Sequence, residues 1–295
     1  MFEKDAKIIK VDGDDLSAMF DSVNEQQAHW IGYTFPVRPD VALEAVRINA
    51  DGSQTNLGII TGPGPSDATL RAGLFLLYDN DTDNTDLNRP VRVELRDLDR
   101  KHDWAGIPVY WLDHIDAGQS LEFLQHLIAE SQDPDASVCL TEAVAVHSDP
   151  EVEALLKKAA RNSRFAEARM AAIRWLGRTG QVHFLSEIAT DTNEDRRVRE
   201  QAIMSIGKST DAEAVALLRR LFETVQETSL KTHVLSALSK QHHRSSAEDF
   251  LRAVSESEAD SEVRLASRAK LDKIRGKKKK TKPLLKRFTK SAAGF

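Results

Sequence analysis

Apolar residues recur at helical spacing from about residue 105 to residue 275, and the pattern itself repeats. The run Arg169-Met170-Ala171-Ala172-Ile173-Arg174-Trp175-Leu176-Gly177 aligns with Arg199-Glu200-Gln201-Ala202-Ile203-Met204-Ser205-Ile206-Gly207 thirty residues later. Lys231 to Ser239 follows after 32 more residues, and Arg264 to Asp272 after another 33. With Leu176, Ile206, Leu238 and Leu271 as anchors, the residue eight before is Ala168, Val198, Leu230 and Val263, and the one seven before is Arg169, Arg199, Lys231 and Arg264. Beside each such helix, across a short polar turn, a second helix is predicted from its apolar pair: Leu155-Leu156, Phe184-Leu185, Leu217-Leu218 and Phe250-Leu251. The unit is helix, turn, helix.

Two earlier stretches extend the array in this reading. Val109-Tyr110-Trp111-Leu112 matches Ile173-Arg174-Trp175-Leu176, Leu121-Glu122-Phe123-Leu124 supplies a second-helix pair, and Val138 to His147 with Glu151 to Ala160 forms a further copy. In the last copy Ser267 and Arg268 replace Ala202 and Ile203, the polar face expected of a terminal cap. Before about residue 104 the pattern changes. His29 to Val37, Ala45 to Asn49, Leu57 to Thr61, Arg71 to Tyr78 and Val91 to Leu98 are short and rich in β-branched, aromatic and Leu residues, with turns such as Asp51-Gly52 between them. They predict a small sheet or sandwich, with a short helix within residues 14–28. The predicted organisation is a β-rich region over 1–104, a helical solenoid over 105–275 and a tail over 276–295.

Resemblance enters with the repeats. The 30 to 33 residue spacing, the run Val198 to Ile206 and a second helix of the Ala214-Val215-Ala216-Leu217-Leu218 kind are similar to the short HEAT repeats of phycobilin lyase subunits and of many bacterial HEAT-repeat proteins. Tetratricopeptide spacing is not met, since Trp175 is followed directly by Leu176, and ankyrin's Thr-Pro-Leu-His is absent. The resemblance implies a right-handed α-solenoid whose second helices line a concave, protein-binding face, and it brings no catalytic residues with it. Lys157, Lys158, Arg219, Arg220 and Arg252 follow the apolar pairs on those second helices. They are the expected groove for an acidic partner segment.

Charge sharpens the picture. The 295 residues carry a net charge of −5, but residues 273–290 hold ten Lys or Arg and no acid, which leaves 31 basic against 46 acidic side chains elsewhere. Within the tail, Lys277, Lys278, Lys279, Lys280, Lys282, Lys286 and Arg287 are the expected polyanion-binding residues, for weak, non-specific contact with nucleic acid or an anionic membrane. An acidic body argues against the whole solenoid tracking phosphates.

Catalytic and cofactor chemistry finds little support. Cys139 is the single cysteine, which excludes an internal disulfide and a multi-cysteine metal cage. The nine histidines show no ligand spacing, His242-His243 included, and Gly62-Pro63-Gly64-Pro65 lacks the Gly-Lys-Ser/Thr ending of a phosphate loop. Asp79 to Asp86 alternates acids like a calcium loop but has Asn84 at the sixth position and Pro90 at the twelfth, so a polar hairpin loop is the reading. Arg169, Arg199, Lys231 and Arg264 are read as a structural ladder, with Asp195 and Asp260 pairing four residues on, and Trp111 and Trp175 as core. No apolar run reaches the roughly 20 residues that cross a bilayer, and Met1 to Lys7 has no secretory h-region, so the expected address is cytoplasmic. The expected function is a non-enzymatic adaptor without cofactor; the alternatives are nucleic-acid binding through tail and groove, or a lyase-type chaperone for a chromophore.

Overall fold

The computed structural model describes residues 7–23, 27–39, 41–43, 47–48, 54–55, 59–61, 72–79, 90–99, 102–241 and 244–275. They form two compact units, residues 1–172 and 173–295. In chain order the elements of the first are β1 (Ile8–Lys10), α1 (Leu16–Ser22), β2 (His29–Thr34), β3 (Val41–Leu43), β4 (Arg47–Ile48), β5 (Gln54–Thr55), β6 (Ile59–Thr61), β7 (Ala72–Tyr78), β8 (Arg92–Asp97), β9 (Val109–His114), α2 (Ala117–Glu130), α3 (Pro134–Val146) and α4 (Val152–Asn162). α5 (Ala166–Arg178) runs across the division; α6 (Val182–Thr190), α7 (Arg196–Ile206), α8 (Ala214–Thr224), α9 (Thr228–Leu238), α10 (Arg244–Ser257) and α11 (261–275) follow.

The main sheet has the order β1-β9-β2-β7-β8, with β9 parallel to both its neighbours and the remaining pairs antiparallel. The short pairs β3–β6 and β4–β5 stand apart from it. Here the helical reading of Val109 to Leu112 is corrected. This segment is the strand between β1 and β2, and its run of β-branched and aromatic residues suits a pleated surface. A helix there would leave the β2 edge without its ladder.

Period-two alternation gives the sheet two buried faces. On one, Trp30, Phe75, Trp104 and Val109 pack together, and the Arg96 guanidinium lies 4.2 Å above the Trp104 ring. Arg96 and Glu94 are both buried and bonded at 2.5 Å, so neither charge is left alone in the apolar surroundings. Gly32 is required on this face, because a Cβ there would sit 2.5 Å from the Phe75 ring. On the other face Tyr33 reaches Ser120 of α2, and Phe20 of α1 packs on Tyr78 and on Phe123 of α2. α3 closes on the sheet through the segment after β2, where Val37 bridges His147.

The helices past α3 come in the pairs that the repeat predicts. The starts of α2, α3 and α7 are capped: Asp116, Asp133 and Asp195 each accept an amide of the first turn. Within the second unit α6, α8 and α10 pack in order as one layer, and α7 and α9 pack together as the other. Within that second layer α7 and α9 approach closely enough that a Cβ on Gly207 would meet the Cβ of Ala237 at 2.6 Å. The chain is thus a HEAT-like helical array after a small mixed sheet. In the last helix, Ser267 departs from the expected polar outer face. It is fully buried and donates to the Leu251 carbonyl at 2.7 Å, while Arg268 is exposed as expected.

Candidate functional site

The repeated basic position builds the frame on which any surface is displayed. Arg169 donates to the Ser163 carbonyl at 2.8 Å, Arg199 to the Ala189 carbonyl at 3.1 Å, and Arg264 to the carbonyls of Glu258 and Ala259 at 2.6 and 2.7 Å. Each arginine therefore satisfies carbonyls left open where the preceding helix ends. Lys231, which has no planar fork, instead lies 5.2 Å from the Phe222 ring. The ladder continues forward: Arg199 pairs with Glu227 at 2.8 Å, and Thr228 donates to Asp260 at 2.7 Å. Asp195 and Asp260 are engaged as helix caps, accepting from Arg197 and from Glu262, rather than in the expected pair with the arginine four residues on. Capping amides and the Arg197 charge hold Asp195 below the usual carboxylate range.

The five predicted groove cations fall into two groups. On α4, Lys157 is half-buried and bonded to Glu153 at 2.7 Å, and Lys158 is exposed. On α8 and α10, Arg219, Arg220 and Arg252 are all exposed. Arg219 lies 5.0 Å from the Phe250 ring, which ties α8 to α10, and Arg252 meets Asp249 at 3.4 Å. Beneath them Leu217, Leu218, Leu221 and Phe222 are buried, so the apolar side of α8 is spent on the fold and its cations face outward. Trp175 is core, 3% exposed, and Trp111 is half-buried against Phe75.

A second basic set escaped the sequence reading. Two residues past each anchor stand Arg178, Lys208, Lys240 and Lys273, at or beyond the C-terminal ends of α5, α7 and α9 and near that of α11. Partial desolvation, and then the charges of Lys208, Lys270 and Lys273, hold Lys240 below the usual lysine range. The signal was present: the register that aligned Leu176 with Ile206 also aligns these cations when carried two residues further. Their placement also favours the negative end of each helix dipole.

Buried polar chemistry gathers elsewhere. His147 Nδ1 lies 2.6 Å from the Ala143 carbonyl and must donate to it, which leaves Nε2 to accept from Ser120 Oγ at 2.8 Å; Ser120 in turn accepts from Tyr33 at 3.1 Å. This Ser–His contact resembles half of a nucleophile pair. Both side chains are buried, however, with Ser120 fully so, and Phe35 stacks on the imidazole at 3.8 Å. It is a structural chain of hydrogen bonds between β2, α2 and α3. Cys139 on α3 is half-buried, with its thiol pushed up by burial. Among the described residues no three His, Cys, Asp or Glu side chains come together as a metal site. The acid-rich loop Asp79 to Asp86, apart from its first residue, Gly62 to Pro65, His242-His243 and the tail cations Lys277 to Arg287 lie outside the described residues. No helix among the described residues is long and apolar enough to cross a membrane.

No curated protein matches the chain. Residues 152–239, from the start of α4 to the residue that caps α9, match the family model of HEAT repeats.

Proposed function

We propose that this chain is a non-enzymatic scaffold that holds a partner protein carrying an acidic segment, in the cytoplasm, through the face its second helices present. The observation that carries the reading is the outward row Arg219, Arg220 and Arg252 over a fully committed apolar layer. Such a layer holds its cations in place without spending them on the core, and rigid, pre-placed charges lower the ordering cost of binding. The known habit of HEAT repeats as protein-interaction surfaces supports the same reading. In this proposal the helical array displays the groove, and residues 276–295 add a basic tail.

The test is charge reversal. Replacing Arg219, Arg220 and Arg252 by Glu is expected to abolish capture of partners from a lysate, with the circular dichroism spectrum and thermal midpoint close to wild type. Partners retained at wild-type level would remove the reading. A second reading, contact with a polyanion, is favoured by one observation, the column Lys208, Lys240, Lys270 and Lys273, in which the other three charges act on Lys240. Its measure is the salt dependence of DNA binding.

A further inference from the structure

In the first unit α2 and α4 both pack on α3 and leave a cleft of about 290 Å³ between them. Ile128 and Ala129 of α2 form one wall, Leu155 and Ala159 of α4 the other, and Thr141 and Val144 of α3 the floor. The sequence explains why the space is open. Aligned on the apolar pairs Leu155-Leu156 and Leu217-Leu218, the next two inward positions are Ala159-Ala160 on α4 and Leu221-Phe222 on α8. Leu221 and Phe222 are buried, at 2% and 6% exposure, and fill their site; at α4 Ala160 is fully buried, and Ala159, which stands where α8 has Leu221, lines the open space.

The rim has one sign of charge. Lys158 and Arg164 line the cleft at the C-terminal end of α4, and no carboxylate stands among the residues that line it. Gln132 accepts a hydrogen bond from Arg164 and fixes its guanidinium near the opening. Ser163, also in the lining, has a buried hydroxyl oxygen without a hydrogen-bond partner. A mainly apolar cleft with donors gathered at one end suits an occupant that is apolar on one side and acidic beside it. The chain's own tail is the wrong sign, with ten cations over residues 273–290. The volume, near the lower limit of about 300 Å³ for pockets that enclose a whole ligand, suits one or two large side chains of a peptide.

We infer that the cleft between α2 and α4 docks an acidic amphipathic peptide segment, its apolar side chains filling the space beside Ala159 and its carboxylates meeting Lys158 and Arg164. The inference rests on the scaffold reading and gives it a second contact point, distinct from Arg219, Arg220 and Arg252.

The probe is a fluorescein-labelled peptide of about sixteen residues, long enough for a helix, with Leu and Phe on one face and Glu on the other. Matched peptides carry Gln for Glu, or Ala for the apolar residues. Fluorescence anisotropy with the full chain at physiological ionic strength is expected to show saturable binding of the first peptide and at least about tenfold weaker binding of each control. Ala159→Trp fills the cleft and is expected to weaken binding by at least about tenfold, as is Lys158→Glu. Should Ala159→Trp fail to fold, Ala159→Leu places on α4 the residue type that α8 already accommodates. Absence of saturable binding overturns the inference, as does equal binding of the Gln peptide, or a folded Ala159 variant that binds like wild type. The triple variant Arg219→Glu, Arg220→Glu, Arg252→Glu separates the two proposals. The cleft inference expects it to retain the peptide. Loss of the peptide there, with retention by Ala159→Trp, would sink the cleft and leave the second-helix reading standing.

Discussion

At the scale of single residues, position in the repeat determines what each charge can do. Arg169, Arg199 and Arg264 were legible as a ladder because a cation recurs at one register. The atoms it meets were not, because a carbonyl at the end of a preceding helix has no sequence signature. His147 was invisible for a related reason: nothing in its neighbours announces Ser120 and Tyr33, which arrive from elements 27 and more residues away. Burial first, offset in part by the Ala143 carbonyl, lowers the His147 pKa from 6.5 to about 4. The neutral ring is the form the fold accepts, so the unfolded chain takes up a proton at higher pH than the native one. The stability His147 contributes is therefore full above pH 6.5 and is lost as pH falls toward 4. A shift of that size corresponds to about 3 kcal/mol across the window. Urea titrations at a series of pH values are expected to show a steeper acid-side loss for wild type than for His147→Gln, which has no such proton to take up. Parallel pH profiles would contradict this account.

Among the elements, helices with full apolar stripes are legible from their period, whereas the short strands β1, β3 and β5 carry no such signal and β9 carries a misleading one. Val109-Tyr110-Trp111-Leu112 is four residues of an apolar run, too short for its period to separate strand from helix, and its match to Ile173-Arg174-Trp175-Leu176 favoured the wrong choice. The decisive fact is tertiary: β1 and β2 flank it and need its hydrogen bonds. That Lys158, Arg219, Arg220 and Arg252 are exposed was legible from their place after the apolar pairs, whereas Lys157 is half-buried and bonded to Glu153. The cleft was not, since an alanine pair signals a gap only when set against the Leu221-Phe222 that fill the like position. Position along the array also sets energetic weight. Leu218 is fully buried on α8, within a layer flanked by α6 and α10, whereas Leu271 lies on the last described helix with 4% exposure. Leu218→Ala is expected to cost about 2 to 5 kcal/mol, and Leu271→Ala clearly less, because fewer neighbours surround the vacated space. Equal losses in denaturant titrations would contradict the central place given to α8.

For the whole molecule the governing asymmetry is electrostatic, and it was legible from composition alone. An acidic body carries its concentrated positive charge at residues 273–290. Opposite-sign charges in the body weaken the long-range field of isolated cations such as Arg219 and Arg220, whereas a run of like charges sustains one over about a Debye length. Non-specific binding to duplex DNA should thus follow the tail rather than the groove. Deleting residues 276–295 removes eight of the ten tail cations and spares Lys273 and Arg275. The truncated chain is expected to show a markedly shallower dependence of log K on log salt, and to lose duplex binding at physiological ionic strength, while partner capture through the second helices persists. A gel shift in dilute buffer does not discriminate, because any run of lysines binds a polyanion there; the slope does, since it counts the phosphates neutralised. The column Lys208, Lys240, Lys270 and Lys273 remains after truncation and supplies the contrary outcome. If the truncated chain still holds DNA at physiological salt, and Lys208→Glu with Lys240→Glu then abolishes that binding, the helical array itself reads phosphate and the scaffold reading gives way.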